Sequence, residues 1–174
     1  MKIGRCSREV FNDNAHIKRV EEVGKPLENA VTNIVKRHTE ELEIIIHKIK
    51  AMLKDDTDQL TDLEIDDIML QLPILLFDAT DDQELVGMQA DFSKQLYNEA
   101  YNEAHKLARG TISDKKSAAE LSAINEQLDN LIYDRAYKII KQKIAMAVEV
   151  LNAVKKVQAS RQQKFEIDRF RPKF

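Results

Sequence analysis

The chain has 174 residues, with 27 basic and 30 acidic side chains, a formal net charge of −3, four glycines, three prolines, one cysteine and no tryptophan. Such a length is normally one domain, and a composition this poor in turn formers is helical and excludes a sandwich or barrel. The single cysteine, Cys6, excludes an internal disulfide and a multi-cysteine metal site; with no apolar leader and no apolar run longer than segments such as "PILLF", the expected location is the cytoplasm, that of the host cell if the chain is phage-encoded, with no membrane partner.

Residues 1–26 show no sustained period and are expected as an N-terminal preface, with "VGKP" breaking the chain before a helix near Leu27. From Leu27 to about Lys54, Leu27, Val31, Ile34, Val35, Leu42, Ile45, Ile46, Ile49 and Leu53 recur at three- and four-residue steps, the buried stripe of an amphipathic helix. Polar "DDTDQL" interrupts that pattern, and Thr61-x-x-Glu64 has the form of a capping box opening a second helix through Leu63, Ile65, Ile68, Met69 and Leu72. Pro73 is expected to end or kink it, making "LPILLF" a buried bend. A third helix is expected from about Asp82 to Ala108, carrying Leu85, Met88, Phe92, Leu96, Ala100, Ala104 and Leu107 on its buried face.

Gly110 is the expected stop of that helix, and "TISD" after it the cap of the next. The fourth helix then has no proline or glycine from Asp114 to beyond Arg161, which at 1.5 Å per residue makes it roughly 70 Å long. Its apolar positions run from Leu121 to Val154, and its far half must pack on the first helix or on another copy of the chain. The expected fold class is therefore all-α, a helical hairpin or bundle with one very long C-terminal helix, and a homo-oligomer. The helical domain spans 27–164 and a C-terminal tail 165–174.

Charge is sorted along the chain. From Thr61 to Ala104 eleven acidic residues face one basic residue, Lys94, for a net charge of −10, whereas from Arg135 to the end eleven basic residues face three acidic ones, for +8. An asymmetry of this kind points to a polyanionic partner for the basic end, or to packing of the acidic and basic helices against one another. In "HKLARGTISDKK", Lys106, Arg109, Lys115 and Lys116 surround one turn, where flexible cations and capping amides can meet phosphates; the alternative for Lys106 and Arg109 is charge balance at a helix C-terminus. Arg135, Lys138, Lys141 and Lys143 cluster with Tyr133 and Tyr137, which serve either base stacking or half-buried packing. Phe165, Phe170 and Phe174 lie among cations in the tail, placed either to dock on a partner or to fold back on the domain.

Catalytic signatures are lacking. His16, His38, His47 and His105 fall on different segments and outside H-E-x-x-H or E-x-x-H patterns, so no metal is expected. Asp55, Asp56 and Asp58 open like a calcium loop without its glycine and closing glutamate. No G-x-x-x-x-G-K-[ST], G-x-G-x-x-G or G-x-S-x-G occurs, so the chain is expected not to be an enzyme and to carry no cofactor.

From the basic end of the third helix onward, the glycine turn, the amphipathic middle and the long basic helix "RAYKIIKQKIAMAVEVLNAVKKVQASRQ" resemble the phage recombination mediators of the UvsY type. The resemblance implies a small helical protein forming ring-like homo-oligomers, binding single-stranded DNA and helping to load a RecA-like recombinase onto strands coated by single-strand-binding protein. That family has a Lys-Ala-Arg-Leu type motif at the corresponding helix end; the nearest match here is Lys106-Leu-Ala-Arg109, so DNA contact carries over to Lys106 and Arg109. The spacing differs, and the first hundred or so residues, the acidic middle among them, have no counterpart in the resemblance. The competing expectation is a helical protein-interaction module, a phage scaffold or an inhibitor of a host protein, whose acidic helices are the working surface.

Overall fold

The computed structural model describes residues 15–55 and 61–170, so the N-terminal part of the preface, the "DTDQL" segment and the last four residues lie outside the description. The described residues form helices α1 (Ala15–Asp55), α2 (Asp62–Leu107), α3 (Ile112–Ser122) and α4 (Ile124–Phe170), with no strand among them. At 1.5 Å per residue, 46-residue α2 and 47-residue α4 are each about 70 Å long.

Local chemistry sets the two clearest boundaries. Thr61 caps α2 through a reciprocal box with Glu64, whose carboxylate accepts from the Thr61 backbone N–H at 2.8 Å while the Glu64 N–H donates to the Thr61 hydroxyl at 3.2 Å. The far end of α2 closes at Ala108, and Gly110 turns the chain with φ of 115°, a left-handed conformation that disfavours any residue with a Cβ.

Two expected breaks do not occur. Helix α1 begins at Ala15 and runs straight through Pro26, so much of the expected preface is helical; α2 runs through Pro73, fusing the expected second and third helices into one. Leu72 and Leu76 are buried on either side of exposed Pro73, and their burial holds the helix across a residue that lacks one backbone donor. A break does occur where none was expected: Ala123, at φ −98° and ψ 19°, separates α3 from α4. The Ala123 N–H still reaches the Ala119 carbonyl at 3.0 Å, and Gln127 reaches back to Ala123 at 3.0 Å, so this is a one-residue bend without glycine or proline. At the other end, α4 continues through the expected tail to Phe170.

The long helices form a three-helix bundle with α3 folded onto α2. Helix α4 runs antiparallel to α2, as shown by Gln158 reaching Asp66 at 3.2 Å and Tyr137 lying against Gly87. Helix α1 runs parallel to α4: Val35 shares a cluster with Ala136 and Ile140, and Leu42, Ile46 and Ile49 share another with Ala147, Leu151 and Val154. Helix α2 contributes Ile65, Ile68, Leu72, Leu76 and Ala79 to the larger cluster and Val86 to the smaller. Each fully buried aliphatic side chain contributes on the order of 1.5–3 kcal/mol. Among the described residues no helix is long and apolar enough to cross a membrane.

Candidate nucleic-acid interface

The first group of cations sits at one end of the bundle. Lys106, the last-turn cation of α2, Arg109 of the turn and Lys116 of α3 are exposed, and Lys115 is half-buried one turn before buried Ala119. Lys116 makes only a loose pair with Glu120, at 3.9 Å on the same helix, and such exposed pairs hold a side chain weakly. The capping amides are already engaged. Asp114 accepts from the Thr111 N–H at 3.0 Å and from the Thr111 hydroxyl at 2.7 Å, and its own N–H donates to that hydroxyl at 3.3 Å. These bonds, side-chain first, hold the Asp114 carboxyl below the usual aspartate range. The helix start is thus served by its own carboxylate, and phosphate contact at this end rests on the lysine and arginine side chains.

The second group lies along α4, beyond the Ala123 bend, with Arg135 about 17 Å by helix rise from the start of α4 at Ile124. Arg135 and Lys141 are exposed; Arg135 lines a shallow groove of about 400 Å³ with Leu27, Val31 and Leu131. Lys138 is exposed but held by Asp134 at 2.7 Å. Lys143 departs from the expected set. It turns inward to pair with Glu43 of α1, with the Thr39 hydroxyl 3.4 Å away, and burial pushes its ammonium below the usual lysine range. It is a bridge between helices, and phosphate would have to displace Glu43 to reach it.

Tyr133 and Tyr137 belong to packing. Both lie half-buried against the Val35, Val86, Ala136 and Ile140 cluster, and a Cβ added at Gly87 would stand 3.1 Å from the Tyr137 ring. Lys106, Arg109, Lys115, Arg135 and Lys141 make no ion pair with another described residue. The acidic α2 and basic α4 are neighbours, yet an ion pair that joins them, Arg161 to Asp62 at 3.1 Å, lies at the end of the bundle, and Asp66, Asp67, Asp78, Asp81, Glu84 and Asp91 face solvent.

In the tail, Phe165 and Phe170 are 70% and 81% exposed on the last turns of α4, which run past the start of α2; Phe174 lies outside the described residues. No grouping of three or more His, Cys, Asp or Glu side chains suited to a metal occurs among the described residues.

A larger feature escaped the sequence pattern. Leu85, Met88, Phe92 and Leu96, expected in the core, are 47%, 64%, 61% and 42% exposed, and Leu63, Ile74 and Phe77 are exposed as well. The inner side of this half of α2 is built from smaller residues, Ala79, Val86, Ala90 and Ser93, which let α4 approach closely. No protein-family profile, curated protein or solved structure matches this chain.

Proposed function

We propose that the chain is a homo-oligomeric, single-stranded DNA-binding protein acting as a recombination mediator of the UvsY type in the cytoplasm of a phage-infected cell. In this reading it holds strands for a RecA-like recombinase in the presence of single-strand-binding protein. The observation that carries the DNA reading is the set of exposed, unpaired cations, Lys106 and Arg109 at the turn and Arg135 and Lys141 on α4. Cations on flexible stems contact phosphates without reading bases, so binding is non-specific and weakens as salt rises.

Titration of labelled oligo-dT across a salt series tests this. Replacing both Lys106 and Arg109 by alanine is expected to weaken binding at low salt and to flatten the salt dependence by about 1.4 powers for the two lost contacts. Unchanged affinity removes the turn from the interface, and absence of salt-sensitive binding removes the DNA reading altogether.

A second reading, a protein-interaction module without nucleic acid, is favoured by the exposed apolar line on α2. Failure to retain oligo-dT at low salt, together with a stoichiometric protein complex, decides for it.

A further inference from the structure

Helix α2 is apolar on two opposite sides. Its buried line, Ile65, Ile68, Leu72, Leu76, Ala79, Val86 and Ser93, packs on the bundle. Its outer line, Leu63, Leu70, Ile74, Phe77, Leu85, Met88, Phe92 and Leu96, is 42–81% exposed. At 100° per residue the outer eight fall within about a third of the circumference, directly opposite the buried line. Taken at roughly 200 Å² per fully exposed side chain of this size, they present on the order of 1,000 Å² along about 50 Å of helix. Stable interfaces bury roughly 800 Å² per partner, and the largest patch on a typical monomer is about 300–600 Å².

The spacing of this line names its occupant. Leu70, Ile74, Phe77, Asp81, Leu85, Met88 and Phe92 follow steps of 4, 3, 4, 4, 3 and 4, which read the same in both directions about Asp81. When two copies of α2 lie antiparallel, Leu70 faces the partner's Phe92, Ile74 the partner's Met88, Phe77 the partner's Leu85, and Asp81 its own copy at the two-fold axis. Every aromatic ring then meets an aliphatic side chain. A parallel pair would set Phe77 on Phe77 and Phe92 on Phe92, with the helix dipoles aligned. The eleven-residue repeat gives about 3.67 residues per turn, close to that of a straight helix, so the line stays in one plane over its length. At its flanks the line borders neighbouring helices, Ile74 sharing a groove with Ile44 of α1 and Phe92 and Leu96 sharing one with Glu126 and Asp129 of α4, while all of its side chains stay at least 42% exposed.

We infer that the outer face of α2 is a symmetric, antiparallel interface between two copies of this chain, centred on Asp81. The pairing deepens the homo-oligomer part of the proposed function and leaves the turn cations uncovered at the two far ends of the pair, so each can fail without the other. Asp81 at the axis is the one charge in the apolar register, and two facing carboxylates oppose association.

Sedimentation over a concentration series, with circular dichroism as the folding control, tests the interface. The wild-type chain is expected to dimerise, Phe77→Glu combined with Phe92→Glu to be monomeric with unchanged helicity, and Asp81→Leu to tighten the dimer about tenfold. A wild-type chain that stays monomeric, or one whose association ignores these substitutions, overturns the proposal. Orientation is tested by oxidation in a Cys6→Ser background: Asp81→Cys is expected to cross-link to itself, and Leu70→Cys only when mixed with Phe92→Cys. Self-cross-linking of Leu70→Cys alone would establish a parallel pair and sink the antiparallel register. Retention of oligo-dT by the monomeric double variant separates loss of this interface from loss of the DNA reading.

Discussion

The two sides of α2 carry similar hydrophobicity for different purposes. The inner side becomes smaller along the helix, from Ile65, Ile68, Leu72 and Leu76 to Ala79, Val86 and Ser93, as α4 closes in and Gly87 admits the Tyr137 ring. The outer side keeps large residues throughout, among them Phe77, Met88 and Phe92, which are 61–67% exposed. From Ala79 onward, size and burial therefore run opposite to simple expectation. Small residues mark where backbones approach, and large ones mark a surface still open to a partner.

The largest expected effect separates the two sides directly. Leu72 is 0% exposed, so Leu72→Ala leaves a cavity and is expected to cost about 3–4 kcal/mol in denaturant unfolding of the monomeric background, whereas Met88→Ala, at an outer position 64% exposed and intact in that background, is expected to cost well under about 1 kcal/mol. Equal losses from both would mean that the outer line is buried within a single chain. A finer test reverses the chemistry with neighbouring residues: Ala79→Leu overpacks a site 4% exposed and is expected to destabilise by about 1–3 kcal/mol. Asp81→Leu, two residues further on, adds the same side chain outside and is expected to leave monomer unfolding nearly unchanged.

Much of the architecture was legible because its signals are local. Thr61 with Glu64 and Thr111 with Asp114 cap helices in the chain itself, and Gly110 supplies a backbone conformation that few other residues adopt. The helical class followed from periodicity. The faces of α2 did not, because a three-to-four-residue spacing reports an apolar line without saying which of two lines is inside. Pro73 was misleading for a related reason: the burial of Leu72 and Leu76 on its two flanks outweighs its missing donor, and that burial is tertiary, whereas α1 runs through Pro26 with no buried neighbour among the described side chains beside it. Among the cations, Lys106 and Arg109 could be read from their position at a helix end, but the fate of Lys143 depends on Glu43, 100 residues away. The signal that would have found the outer line was present in the alternation of size, with Ala79, Ala90 and Ser93 on one side and Phe77, Met88 and Phe92 on the other.

The smallest expected effect concerns the cap, which stabilises α2 whichever of its faces is engaged. Hydrogen bonds from Thr61, backbone first and side chain second, hold the Glu64 carboxyl below its ordinary value of 4.5. A carboxyl lowered in the folded state favours folding at any pH above 4.5, and that contribution disappears as the pH falls through the folded value. Thr61→Ala removes the side-chain acceptor for the Glu64 N–H, so its destabilisation should be smaller than that of either core change. The gap between wild type and variant should also narrow below pH 4.5. The association constant should move little, because Thr61 lies at the end of the outer line and contributes no apolar surface to it. A change in dimerisation as large as that from Phe77→Glu would instead mean that the outer face depends on how α2 begins, and that the two sides of this helix are not energetically separate.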